Sequence, residues 1–246
     1  SRKVNRTLLF TNFIAVFVAS LLVYVLDEPT LFTIKISTWY IHAIPYFVIL
    51  GVLAGINSVF LTKSVLFFKT QFLKIEKNHN KILIGTILIG CAILISPTLY
   101  GDSYHGIKEI LAHPNTNFSL KFFLSIFGVL LLKPIITSIT LASGGDGGVF
   151  APSLVIGAFL GFFVATFLNT FFNANVLPIN FIIIGMAALL SASIHAPFTA
   201  LFLICSIIND YTLFVPILLV CLVSKYTAKY IFPHTVYSYS LNPIKV

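Results

Sequence analysis

Side-chain catalysis calls for a paired acid and base, a Ser/His/Asp set or a phosphate-cradling loop. The seven carboxylates, Asp27, Glu28, Glu76, Asp102, Glu109, Asp146 and Asp210, and six scattered histidines assemble none of these, so the chain is not read as an enzyme. Cys91, Cys205 and Cys221 lie in apolar segments without metal-ligand spacing and read as small buried hydrophobes. No metal site, disulfide or cofactor is expected. The remaining chemistry belongs to the main chain. Ser143 to Gly161 reads SGGDGGVFAPSLVIGAFLG, a glycine-rich break that restarts as a helix with Pro152 in its first turn. The free N–H groups of a helix start carry partial positive charge and suit an anion. If the helix begins at Val149, the amides of Val149 and Phe150 would face that anion while their side chains pack, and Gly148 lets it approach the main chain. An ordinary interhelix loop at a membrane surface is the plain alternative.

Three side chains bear on this site. Lys133 stands inside an apolar run, where a cation is costly enough to be a functional candidate. It would raise the potential along an anion route, snorkel from a helix end, or pair with Asp146. Asp146 sits within the glycine break, where a carboxylate would repel an anion unless it caps the helix or pairs with Lys133. Tyr237, in the string HTVYSYSL, is a neutral O–H donor suited to an anion, or an interfacial belt residue. His195 reads as a structural cap beside Pro197.

The elements that must hold these residues are membrane helices. The chain is 58% hydrophobic and only 9% charged, with a mean hydropathy of +1.02, where a soluble domain would be about a quarter charged. The net charge of +8 sits in short flanks between apolar runs, which fits membrane topology and not nucleic acid. Helices are predicted over Leu8–Leu26, Pro45–Phe72, Ile82–Leu99, Ser103–Leu111 (too short to span), Phe118–Leu141, Val149–Leu168, Pro178–Ser191, Ala196–Ile208 and Tyr211–Tyr230. The Arg2, Lys3 and Arg6 flank and the lysines from Lys69 to Lys81 are assigned to the cytoplasm. Short segments meeting at Ser193 to Pro197 point to a transport site, with two interfacial half-helices as the alternative. Met186 is the only methionine and no secretory signal is present, so the sequence is expected to be a piece of a longer chain.

The string GGVFAP, Gly147 to Pro152, followed by Gly157 and Gly161, resembles the GxFxP signature of the CLC family of chloride channels and chloride/proton antiporters. GDSYHGIKEIL and LLLKPIITSITLASGG upstream, GMAALLSASIHAPFTALFL from Gly185 to Leu203, and HTVYSYSL from His234 to Leu241 resemble further blocks of that family in the same order. The resemblance implies an all-α inverted-repeat membrane fold with broken and short helices. Residues 1–246 would form one transmembrane domain fragment, with 1–43 as the last helix and loop of the first repeat and 44–246 as the second repeat. It implies chloride held by the amides of Val149 and Phe150 and by the Tyr237 hydroxyl, with chloride favoured over fluoride because fluoride-exporting relatives usually lack this tyrosine. It also implies a homodimer whose contacts include Leu8–Leu26 and Ala196–Tyr230, in a membrane of the bacterial inner-membrane type. The family's serine loop, gating glutamate and inner proton-relay glutamate do not occur in this sequence. Asp146, in place of a small residue, and Ser206, where many relatives carry glutamate, are departures.

Function is therefore read as transmembrane chloride transport, by a channel or a chloride/proton antiporter. A carrier for another small anion and a non-permeating scaffold subunit are the competing classes.

Overall fold

The computed structural model describes residues 6–26, 36, 38–100, 103–112 and 120–239. The expected acidic turn at Asp27 and Glu28, the carboxylate of Asp102 and the end of the HTVYSYSL string lie outside them. The chain divides into two compact units, Ser1–Thr33 and Ile34–Val246. The first contains α1 (Arg6–Leu26), 21 residues and mostly apolar.

The second unit holds α2 (Ile44–Leu73), α3 (Asn78–Ile95), α4 (Tyr104–Ala112), α5 (Leu120–Ala142), α6 (Phe150–Phe172), α7 (Pro178–Ile194), α8 (Pro197–Ile208), α9 (Phe214–Ile231) and α10 (Val236–Tyr239). Four described helical segments, Ile41–Leu73, Phe123–Ala142, Phe150–Phe172 and Phe214–Tyr239, are long and apolar enough to cross a membrane. α7 and α8 are shorter and equally apolar. α7 is the centre of the unit. It is hydrophobic on every face, so it is stable only when surrounded, and every residue from Asn180 to Ser193 is buried. Proline opens both short helices: Pro178 and Pro197 each stand in the first turn, where a missing N–H costs nothing.

α6 and α7 run antiparallel at close range. A Cβ on Gly157 would collide with the Gly185 carbonyl, and one on Gly161 with the Phe181 carbonyl, so side-chain-free positions let the two backbones touch. α2, α7 and α9 run parallel to one another. Phe47 packs on Phe181 with ring centroids 4.9 Å apart, and Val59, Ala192 and Ala228 form one buried cluster further along. Gly51 meets Val220 and Gly55 meets Thr227.

Three expectations are corrected. The helix predicted to reach Leu99 ends at Ile95 and is followed by a 3-10 turn over Pro97–Leu99. Pro97 forces Ser96 into extended backbone, φ −141° and ψ 100°. The helix predicted from Tyr211 starts at Phe214, because Asp210 Oδ1 accepts from the Thr212 amide at 2.7 Å and holds a turn there. Cys91, expected to be buried, is exposed, whereas Cys205 and Cys221 are buried. α5 passes through Pro134 without breaking; Ser138 Oγ donates to the Pro134 carbonyl at 2.6 Å.

Candidate functional site

The break after α5 is open backbone. Ser143 and Gly145 turn back onto Ile139 and Thr140 through N–H···O bonds of 2.8 and 2.9 Å, and residues 144 to 148 are all exposed. α6 then begins at Phe150, one residue later than predicted, with Val149 as its N-cap. Among the described residues no protein acceptor meets the amides of Val149, Phe150 or Ala151, and Pro152 has none to offer. The carbonyl of this turn, by contrast, is fully engaged. Val149 O accepts from Ser153 N at 3.0 Å and from Ser153 Oγ at 2.6 Å.

That carbonyl is tied to two other helices. Ser153 Oγ lies 2.9 Å from Ser193 Oγ near the end of α7, and Ser193 Oγ lies 3.4 Å from Ser58 Oγ in α2. All three serines are buried. Ser58 is halfway along the 30-residue α2, a helix of about 45 Å. The start of α6 is therefore level with the middle of the longest apolar helix, not with its end.

Two cavities meet at this turn. One, of about 400 Å³, is lined by Tyr100, Lys133, Thr137, Thr140 and Pro152 among others; the other, of about 240 Å³, by Lys69, Val149, Val236 and Tyr237 among others. Leu141, Gly147 and Gly148 line both. Tyr237 reaches the break from α10, its hydroxyl only 3.2 Å from where a Cβ on Gly148 would stand. A reciprocal cap fixes the start of that four-residue helix. Ser238 N donates to Thr235 Oγ1 at 3.0 Å and Thr235 N to Ser238 Oγ at 2.7 Å.

The predicted residues thus gather unevenly. Gly148, Val149 and Tyr237 line one cavity, and Lys133 and Pro152 line the other with Gly148. The Val149 side chain is buried as expected, but that of Phe150 is 40% exposed. The pairing of Lys133 with Asp146 is replaced by a different arrangement. Buried Lys133 donates from Nζ to Ser103 Oγ at 2.6 Å and to the Leu99 carbonyl at 3.2 Å, while Asp146 lies exposed in the loop. Lys133 therefore fastens the turn before α4 to α5 and lines the larger cavity. His195 closes α7 in the left-handed conformation at φ 57°, a cap as read from sequence. Lys69, read from sequence only as a cytoplasmic flank, lines the smaller cavity; its place inside the predicted helix Pro45–Phe72, ahead of the helix end, was the available signal.

Helix-start donors without protein acceptors among the described residues, at mid-helix depth and opened to two cavities, suit a small negative species. A chain of long apolar helices interrupted by short ones around such a break is an integral membrane protein of the broken-helix kind. The chain belongs to the voltage gated chloride channel family, whose model matches residues 1–229. It is 31% identical over 188 residues to the H(+)/Cl(-) exchange transporter ClcA of Vibrio vulnificus, covering 74% of this chain and 39% of the relative. It is 28% identical over 214 residues to the voltage-gated ClC-type chloride channel ClcB of Salmonella typhimurium, covering 85% and 50%. A solved slow cyanobacterial Cl-/H+ antiporter shares the fold with a TM-score of 0.71 at 23% identity, over 87% of this chain and 50% of that one. A CLC-type fluoride/proton antiporter superposes with a TM-score of 0.64 at 17% identity, over 84% and 49%. The chain spans half or less of the length of these proteins.

Proposed function

We propose that this chain supplies the carboxyl-terminal half of the membrane domain of a chloride transporter, a channel or a chloride/proton antiporter. In this reading residues 1–43 close the first repeat and residues 44–246 form the second. Chloride sits at the start of α6, held by the amides of Val149 and Phe150 and by the Tyr237 hydroxyl, with Gly148 admitting it to the main chain. Lys133 and Lys69 draw anions into the two cavities, and Tyr237 favours chloride over fluoride. The whole protein is a homodimer in a bacterial-type inner membrane, and its acidic gating and proton-relay groups belong to the other half of the domain.

The observation that carries this reading is the Gly147–Gly148 turn, shared by both cavities and faced by Tyr237. Partial dipoles suit permeation because binding must let the ion enter and also leave. The test is chloride binding to the parent protein by titration calorimetry. Tyr237→Ala should weaken chloride roughly tenfold, the worth of one hydrogen bond to a charged group. Unchanged affinity would remove Tyr237 from the site.

A further inference from the structure

The glycine break keeps one side chain. Gly144, Gly145, Asp146, Gly147 and Gly148 surround a single carboxylate with four residues that have none. A carboxylate there can cap the helix, pair with Lys133 or repel an anion. The structure removes the first two roles. The start of α6 has no side-chain cap, and Lys133 is fastened to Ser103 and to the Leu99 carbonyl. Among the described residues Asp146 makes no hydrogen bond or ion pair, and it is exposed. The turn before it is firmly placed. Gly144 stands at φ 99°, and Gly145 N donates to the Thr140 carbonyl at 2.9 Å, which a Cβ at that position would meet at 2.8 Å. Both positions favour glycine and hold the loop against the end of α5.

The residues on either side of Asp146, Gly145 and Gly147, line the smaller cavity together with Val149 and Tyr237. Asp146 is therefore one Cα step from the cavity lining in both directions, and three steps, at most about 11 Å, from Val149. The start of α6 is level with the middle of α2, and a carboxylate at such depth borders a charged partner or a water-filled cavity. With no partner among the described residues, the cavity is what remains. Lys69 lines the same cavity, is exposed, and likewise makes no ion pair among the described residues. A charge of each sign thus borders one small space without direct contact, and the potential that an anion meets there is their sum.

We propose that Asp146 is a specificity-determining residue, a fixed negative charge that lowers the affinity of the α6 start for chloride and excludes divalent anions. The amide dipoles attract a divalent anion more strongly than a monovalent one. The carboxylate works against both in proportion to their charge, so the divalent ion is penalised twice as heavily. It also keeps chloride from binding too firmly to leave. The inference rests on the proposed chloride site at the start of α6.

The experiment is chloride titration calorimetry on the parent protein, repeated with sulfate as competitor. At about 10 Å, with a dielectric constant between those of protein and water, one unit charge changes the affinity of a monovalent anion roughly fivefold. Asp146→Asn and Asp146→Ser should each tighten chloride by about that factor and improve competition by sulfate by roughly its square; either variant serves if the other fails to fold. Asp146→Glu, which keeps the charge, should bind chloride as the parent does. Lys69→Gln should weaken chloride, and combining it with Asp146→Asn should bring the affinity back towards the parent value. Glu76→Gln, an equal loss of charge in the exposed loop after α2, should change nothing. Equal gains for chloride and sulfate, no competition by sulfate in Asp146→Asn, or a gain in Asp146→Glu as large as in Asp146→Asn overturns the proposal. Lower thermal stability without tighter binding would assign the carboxylate to an ion pair with the other half of the domain and overturn it too. Tyr237→Ala separates the two readings: if it weakens chloride while Asp146→Asn has no effect, the site stands and the role of Asp146 falls, and if neither variant moves the affinity, both fall.

Discussion

The body of α6 and its first turn are built on opposite principles. From Ser153 to Phe162 every residue is buried, and the backbone lies against α7 with no side chain between them at Gly157 and Gly161. Just ahead of it, the loop from Gly144 to Gly148 is exposed, and the first amides of the helix lack protein acceptors among the described residues. An unsatisfied helix start in an apolar setting is costly. It persists because the tightly packed body leaves the helix no freedom to shift and cover it. Rigidity in one region maintains the open chemistry of the other.

The largest effect is expected where the packed region is broken. Gly161→Leu would drive a side chain into the Phe181 carbonyl, an overpacking that costs about 3 kcal/mol or more. The parent protein should express poorly or unfold at lower temperature in a thermal-shift assay. A normally stable Gly161→Leu protein would show that backbone contact between α6 and α7 is not what holds the helix in place.

The converse change touches the open region and spares the packed one. Val149 is the N-cap at φ −88°, a small backbone adjustment from the angle proline enforces, and it follows Gly148, a residue tolerant of a proline neighbour. Val149→Pro should delete one amide donor while keeping the helix. Chloride affinity, read by calorimetry, should fall roughly ten- to hundredfold with little change in thermal stability. A stability loss with unchanged affinity would mean that the Val149 amide does not serve the anion.

Much of this contrast can be read in the residue order. Pro152, Pro178 and Pro197 each mark a helix start, and the apolar runs locate α2, α4, α6 and α7 to within a few residues. The glycines of the break announce irregular backbone, and Gly157 and Gly161 stand at the spacing of one helix face. What could not be read depends on contacts between distant segments. Ser153 and Ser193 are 40 positions apart, and nothing local distinguishes them from other serines in apolar helices. Lys133 lies 30 positions from Ser103, so its fastening role was hidden behind the nearer and opposite charge of Asp146. Cys91 sits in an apolar run that the fold leaves facing outward, a distinction that composition does not draw in a membrane protein, where outward faces are apolar too.

The smallest effect lies at the join between the two regions. The Val149 carbonyl and the Phe150 N–H belong to one planar peptide unit and point in opposite directions. Holding the carbonyl against Ser153 Oγ at 2.6 Å, with Ser193 at 2.9 Å behind it, therefore aims the Phe150 amide away from the helix. Ser153→Ala removes that hold while Ser153 N, at 3.0 Å, still supplies the ordinary helical bond. Stability should drop by about 1 kcal/mol, as for the loss of one buried hydrogen bond. Chloride affinity should fall as well, by a factor smaller than for Val149→Pro, because the donor is loosened and not deleted. Ser153→Thr, which keeps the hydroxyl, should restore most of the affinity. If Ser153→Ala lowers stability and leaves affinity unchanged, the serine only packs, and the peptide plane at the start of α6 is set by the helix itself.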